Sequence, residues 1–534
     1  MKGNSYDVIV VGAGIAGLTS AAYLCRDGMR VLLCEREETC GGLVASFSQE
    51  GFMFDGGIRA FENSGIVFPM LKQLGIGMEV VSNPVSIGIG DFMVRLKSRE
   101  SLRDYRDMLC ANFPGNIQEI DAIIREIKKI MKYMDVIYGI DNPLFLDSMD
   151  DKGYLVKTLL PWLLKYKINI RKAGKLNEPV ELYLKRFTKN QALTDMIIQH
   201  FFTGTPTFFA LSYFGLYLDY SYPKGGTGVL VDKLKEYIEA HGGRILTGAD
   251  ITSIRPVDRQ VLTAGGESFY YGKLVWCADM KALYNALDEN QLSDMSLSRK
   301  VMEKKGQVLK GRGGNSILTV FISSGLKGAY YRETCGEHCF YTPSAAGLSS
   351  MKIPDWKEIA GDKDALFGWI KDYLRLTTYE ISCPSLRDES LAPPNMTGVI
   401  VSTLFDYNLA KVIQKEGWYA EFKGLCAEYV IEVLNRSVFK GFSESLIRAI
   451  CATPLTIEKN TGNAEGAITG WAFTNEILPA VNQFGDIKKA VYTPVPDIFQ
   501  AGQWTFSPSG LPISILTGKL AAGAAGGGQT PGEI

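Results

Sequence analysis

Residues 7–35 constrain the fold of this chain more than any other stretch. Asp7-Val8-Ile9-Val10-Val11 is a short β-branched run that predicts a buried strand. Gly12-Ala13-Gly14-Ile15-Ala16-Gly17 follows at once, a G-x-G-x-x-G. A helix is expected from about Ile15 to Asp27, and Gly28 stands where a helix end takes positive φ. Arg30 to Cys34 is a second apolar strand, closed by Glu35. Gly12 permits the tight turn, Gly14 lets a pyrophosphate approach the backbone, and Gly17 lets helix and strand pack closely. The helix start offers free N–H groups and partial positive charge to phosphates. Glu35 follows the glycines at nearly the offset, about 20 residues, at which an acid meets ribose hydroxyls. An ordinary α/β turn would also take glycines. Strand, glycines, helix, cap, strand and acid in this order point instead to dinucleotide binding.

The rest of the 534-residue chain is long enough for about three domains, or for nested ones. Lys+Arg 57 against Asp+Glu 58 leaves no basic footprint, so nucleic acid is not an expected partner. The ten cysteines come without a secretory signal. Val8 to Leu24 is interrupted by three glycines and follows an acid, which suits a βα turn better than a leader. The expectation is a cytoplasmic protein with reduced thiols. No apolar run reaches the roughly 18 residues of a spanning helix. Nothing in the sequence fixes an oligomeric state.

Gly41-Gly42 comes soon after Glu35, and then Gly51-Phe52-Met53-Phe54-Asp55-Gly56-Gly57. Further on lie Tyr222-Pro223-Lys224-Gly225-Gly226, a helix over about Val229 to Ala240, a strand over about Arg244 to Ile254, and Lys273 to Asp279. Near the end come Ile498 to Trp504 and Pro508-Ser509-Gly510-Leu511-Pro512-Ile513, opening a helix through Leu520. This order resembles the FAD-dependent amine oxidase and phytoene desaturase superfamily. Thr453-Pro454-Leu455-Thr456, Gly462, Gly466 and Gly470 resemble the stretch before the last FAD motif in phytoene desaturases and carotenoid isomerases. Leu43 departs from the Arg of many relatives, Ser509 interrupts a glycine-rich turn, and Gln503 replaces the ribitol-binding Asp of reductase-type flavoproteins. Desaturation, saturation and cis/trans isomerisation therefore all stay open.

The resemblance implies an α/β fold: a Rossmann-like, glutathione-reductase-type FAD-binding domain with an inserted α+β substrate domain. Segments 1–75, 222–290 and 490–522 would form the FAD domain, 76–221 and 291–489 the substrate domain, and 523–534 a flexible tail. It implies FAD contacts from Gly12, Ala13, Gly14, Ile15, Ala16, Gly17, Glu35, Arg36, Gly41, Gly42, Leu43, Gly56, Gly57, Ile58, Arg59, Ile251, Gly502, Gln503, Gly510, Leu511, Pro512 and Ile513. No second complete G-x-G-x-x-G follows a strand, so no separate NAD(P)H domain is expected.

Residues 76–220 look helical and aromatic. Phe201-Phe202 and Phe208 to Tyr217 could line a pocket for a long apolar substrate, or simply build core. Tyr154 to Lys172 mixes Leu160, Trp162, Leu163 and Leu164 with Lys165, Lys167, Arg171 and Lys172, which suits a membrane interface or a solvated face. Pro161 argues against one straight helix there. Contact with the inner face of a membrane is thus an expectation.

Only His200, His241 and His338 are present, so histidine triads are nearly excluded. Cys335-Gly336-Glu337-His338-Cys339 lacks the second ligand pair of a zinc site, and no metal is expected. Cys40 is a bystander, Arg59 and Trp504 could face the flavin or serve the core, and no catalytic acid or base is assigned. The function expected is FAD-dependent redox chemistry on C–C bonds of a large apolar, carotenoid-like or isoprenoid substrate. A flavin amine oxidase is the alternative, and a non-enzymatic prenyl-lipid carrier a remote one.

Overall fold

The computed structural model describes residues 4–138, 140–145, 157, 160–292 and 294–527. β1 (Ser5–Val11), α1 (Ile15–Arg26) and β2 (Val31–Cys34) follow the glycine run as its pattern predicts. Gly28 turns the chain at φ 78°. β1 and β2 pair in parallel, Val8 opposite Val31 and Val11 opposite Cys34. A Cβ built on Gly17 would lie 1.9 Å from the Gly12 carbonyl oxygen, so the third glycine is what lets α1 sit on its strand.

The first sheet runs in the order Arg244–Leu246, β2, β1, Ser268–Trp276, Gln260–Thr263, Ile251–Arg255. Ile498–Gln500 pairs in parallel with the end of Ser268–Trp276, Leu274 opposite Ile498 and Trp276 opposite Gln500. Strands from near the two ends of the sequence thus flank one common strand. The stretch expected as one strand over 244–254 is two, because Gly248 bends the chain at φ 66°. The first piece joins the parallel edge of the sheet, and the second joins an antiparallel meander.

The C-terminal helix Leu511–Ala525 lies against α1. It runs beyond the expected end at Leu520 because Ala521, Ala522 and Ala525 are themselves buried. Residues 523–525 are therefore helix rather than flexible tail, and 528–534 lie outside the described residues.

The second sheet runs Leu446–Ala452, Ser316–Ser324, Thr397–Phe405, Tyr379–Ser382, His338–Thr342, Val85–Ile89, Phe92–Leu96. Its last two strands are a hairpin inside the region expected to be helical, turned at Gly90 with φ 57°. Side chains alternate across the sheet. Cys339, Tyr341, Ile381 and Val401 face a core completed by the helices Lys363–Leu376 and Tyr419–Arg436. Phe340 stands opposite Glu380, Glu380 opposite Ser402, and Ser402 opposite Thr319, forming one row across four strands. Phe340 and Glu380 of that row line the cavity described next.

Pro161 occupies the first turn of the helix Leu160–Gly174, where its missing N–H costs no intrahelical bond. It does not break the helix. Of the stretch expected to be amphipathic, residues 154–156, 158 and 159 lie outside the described residues.

Candidate active site

A cavity of about 480 Å³ opens where the parallel strands end at Val11, Cys34 and Trp276, the carboxyl edge at which open α/β sheets take their ligands. α1 and the C-terminal helix both start at its wall with glycine N-caps and no side-chain cap, so two positive helix ends face it. Gly14 has an ordinary φ of −68°, and the place its Cβ would occupy is open space. Protein packing does not require a glycine there, but a diphosphate passing close to the backbone does. The Glu35 carboxylate is held by the N–H groups of Ala13 at 2.7 Å and Glu37 at 3.0 Å. Gly41, at φ 119°, bridges to Gly14 and closes the phosphate side. A bare turn, two helix ends and a fixed acid fit the diphosphate and ribose of FAD.

The structure brings Gly12, Gly14, Ile15, Ala16, Glu35, Arg36, Gly41, Gly42, Leu43, Gly57, Ile58, Arg59, Ile251, Gly502, Gln503, Gly510, Leu511, Pro512 and Ile513 to this one cavity. Ala13, Gly17 and Gly56 do not reach its wall. Ala13 is fully buried and contributes its N–H to Glu35, while Gly17 serves helix packing. A Cβ on Gly56 would lie 2.9 Å from the Ala45 carbonyl oxygen, and one on Gly57 2.1 Å from that of Leu43. This later pair therefore answers to backbone packing rather than to room for a flat ring. Trp504 packs edge-on against Trp471, donates to Asn463 Oδ1 at 3.3 Å and also meets the cavity. Gln503 donates to the Ala467 carbonyl at 3.3 Å.

The loop after the helix Pro454–Thr461 carries Gly462 of the family-like stretch, but none of its residues was expected at the cofactor. Asn460, Thr461, Gly462 and Asn463 line the same end of the cavity. Arg36 pins this loop, donating to the Lys459 carbonyl at 2.7 Å. A Cβ on Gly462, which has φ 71°, would come within 2.8 Å of the Arg36 guanidinium.

The other end of the cavity is aromatic. Phe209 and Tyr213 on the helix Thr207–Leu216, and Tyr217 just after it, recur at helical spacing and face the cavity with Phe201 and Phe202. Phe208 and Phe214 of the same segment are core. The expected aromatic run is thus divided between lining and core by the helical period.

Polar groups interrupt this aromatic end. His338 Nε2 lies 2.9 Å from Glu380 Oε1, and its Nδ1 lies 3.2 Å from Asn83 Nδ2. The asparagine amide can only donate, so Nδ1 accepts and the ring proton sits on Nε2, pointing at Glu380. Arg387 fixes the asparagine, donating to Asn83 Oδ1 at 2.9 Å. Arg59 is buried and donates to the Asp55 carbonyl at 2.7 Å and to Ser402 Oγ at 3.1 Å. Burial opposes charge on Glu380, but the hydrogen bond from His338 and the Arg59 guanidinium hold its carboxyl below the ordinary value. Burial also pushes His338 down and, at the opposite wall, pushes the Glu62 carboxyl up. His200 is pushed down to about 3 by burial. Of these groups, Arg59 was expected at the cofactor and the histidines were noted only for their scarcity, while Glu62, Asn83, Glu380 and Arg387 had no sequence signal.

Of the cysteines, Cys34 and Cys277 meet the cavity. Cys40 is buried behind the wall, and burial pushes its thiol up to about 11. Cys335 and Cys339 are core residues, and among the described residues no group of three or more His, Cys, Asp or Glu could hold a metal.

Residues 10–74 match the family described as NAD(P)-binding Rossmann-like domain. Prolycopene isomerase 1 of an Oncidium hybrid cultivar is 24% identical over 488 residues, 85% of this chain and 73% of that protein. The 4,4'-diapolycopen-4-al dehydrogenase of Metabacillus indicus is 23% identical over 539 residues, 97% and 96% of the two chains. All-trans-retinol 13,14-reductase of Danio rerio is 22% identical over 535 residues, 93% and 82%. A Danio rerio protein named inactive all-trans-retinol 13,14-reductase is matched over only 43% of its length. The solved structure of cyclohexylamine oxidase from Brevibacterium oxydans superposes with a TM-score of 0.60 at 13% identity, covering 98% of each chain, a likeness of fold. Fold, motif order and relatives together are those of an FAD-dependent oxidoreductase, and they are similar to the phytoene desaturase and carotenoid isomerase-like branch of the amine oxidase superfamily.

Proposed function

We propose that the protein acts on C–C bonds of a long apolar polyene or isoprenoid, by desaturation, saturation or cis/trans isomerisation. One observation carries this reading: the glycine-lined cradle and the Phe201, Phe209 and Tyr213 wall belong to a single continuous cavity. When bound, FAD supplies hydride chemistry at its ring. The residues given above as its contacts would hold it, Glu35 at the ribose and Gly14 with the α1 start at the diphosphate. The aromatic wall desolvates and orients a flat conjugated chain. The named activities of the relatives, on prolycopene, a diapolycopenal and retinol, agree with such a substrate.

The test is anaerobic titration of the purified yellow protein, with mass analysis of co-purified lipid. Polyenes are expected to change the flavin spectrum, or to be isomerised, while amines do neither. Bleaching by amines alone would overturn the reading in favour of an amine oxidase. A colourless protein that ignores saturating FAD would overturn the cofactor and revive a lipid carrier.

The segments 1–75, 222–290 and 490–522 form, in this proposal, the FAD-binding domain. The protein would work in the cytoplasm, against the inner face of a membrane. In the helix Leu160–Gly174, Leu160, Leu164 and Ile168 are 56%, 64% and 55% exposed, beside exposed Lys165, Lys167 and Arg171. Trp162 Nε1 ties that helix down by donating to the Val136 carbonyl at 2.7 Å. Apolar side chains among cations suit anionic lipid. Sedimentation with phosphatidylglycerol vesicles is expected, and Leu164→Glu should weaken it. Equal sedimentation of both proteins would remove the membrane from the proposal.

A further inference from the structure

The aromatic end of the cavity is not built for a pure hydrocarbon. Glu380 keeps 32% of its side chain exposed on a strand whose neighbours are buried, and it lines the cavity. One of its oxygens accepts from His338; among the described residues the other has no donor. Tyr217 and Tyr220 stand beside it, their rings 5.6 Å apart and edge-on. Both line the cavity, and neither hydroxyl has a hydrogen-bond partner among the described residues. Tyr217 is buried and Tyr220 half-buried, and the cavity reaches both.

Three polar groups are thus left open inside one apolar chamber. A hydrocarbon drawn over them would strip their water and return nothing. We propose that Glu380, Tyr217 and Tyr220 form a receptor for a hydroxyl group carried by the substrate, with His338 as the positioning residue for Glu380. The inference rests on the polyene reading above and narrows it to polyene or isoprenoid alcohols.

An alcohol completes this set because it both donates and accepts. Its O–H meets the free Glu380 oxygen, and its lone pairs accept from a tyrosine hydroxyl. An aldehyde or carboxylate would satisfy the tyrosines but bring no donor to Glu380, and a carboxylate would add repulsion. An ammonium group is disfavoured by the buried Arg59 guanidinium, which already compensates the Glu380 carboxylate, and by Arg387, which with Arg59 acts on the adjoining His338 ring. The geometry is held from outside the chamber. Arg387 fixes Asn83, Asn83 fixes the His338 ring, and that ring turns its proton to Glu380.

The experiment uses FAD-loaded full-length protein and pairs of polyenes that differ by one hydroxyl: all-trans-retinol with its deoxy hydrocarbon, and β-cryptoxanthin with β-carotene. Binding is read from protein fluorescence quenching, which does not require turnover. The alcohol of at least one pair is expected to bind at least about tenfold tighter than its hydrocarbon, since a site built for a hydroxyl rejects the analogue lacking it. Glu380→Gln and Tyr220→Phe should each shrink that ratio toward one, Tyr220→Phe by weakening alcohol binding and by relieving the hydrocarbon of the desolvation cost. Tyr220→Phe removes one oxygen and is the safer variant for folding. A ratio near one in the unmodified protein, or a ratio untouched by both variants, overturns the receptor while leaving the polyene reading standing. If no member of either pair binds, both fall together.

Discussion

A Cβ on Gly518 would lie 2.6 Å from the carbonyl oxygen of Ala16. The C-terminal helix and α1 therefore touch backbone to backbone, and Ser20 Oγ seals the contact by donating to the Gly518 carbonyl at 2.8 Å. This contact aims two helix starts at one cavity. Gly518→Val should force the helices apart at a cost of about 1–3 kcal/mol. Thermal unfolding of the apoprotein and FAD titration should both register it, with FAD affinity down about tenfold, since 1.4 kcal/mol is a factor of ten.

Gly14 and Gly17 should separate cofactor binding from folding. Gly14 has open space at its Cβ, so Gly14→Val is expected to change apoprotein stability by no more than about 0.5 kcal/mol. The same variant should purify colourless. Gly17→Val drives a side chain into the Gly12 carbonyl and should cost about 3 kcal/mol or more even without FAD. Equal stability of the two apoproteins would contradict this division of roles.

Stability should fall as pH drops below 6.5. Burial holds His200 at about 3 against an ordinary 6.5, so between those values the unfolded chain binds the extra proton and the folded one does not. The neutral-ring contribution is complete above the unfolded value and is lost progressively toward the folded one. At pH 5 the loss from this group is about 2 kcal/mol. Denaturant unfolding at pH 7 and pH 5 reads the difference, and His200→Phe should flatten it.

Arg59 is expected to tolerate no substitute. Its guanidinium spans the Asp55 and Gly57 carbonyls and Ser402 Oγ while compensating the Glu380 charge. Arg59→Met should cost about 3 kcal/mol by leaving acceptors and a carboxylate uncompensated. Arg59→Lys should recover less than half, because one ammonium cannot replace a planar fork. Urea titration of the three proteins is the measurement.

The sequence by itself determined the nucleotide end. Turn, helix start, cap and acid lie between Gly12 and Glu35, where each residue's backbone requirement is set by neighbours within the same βαβ unit, so local pattern suffices to write it. It also ordered the later family segments correctly, although it joined two strands across Gly248 and missed the hairpin at Gly90. What only the tertiary structure decided is which scattered side chains share the chamber. Tyr217 and Tyr220 follow a helix, Glu380 and His338 sit on adjacent strands of a distant sheet, and Asn460 to Asn463 come from a loop that Arg36 pins. Apart from Tyr217, which continues the helical spacing of Phe209 and Tyr213, none of these carries a local period. Strand register sets Phe340 against Glu380 and Glu380 against Ser402, and register depends on pairing between segments far apart in the chain.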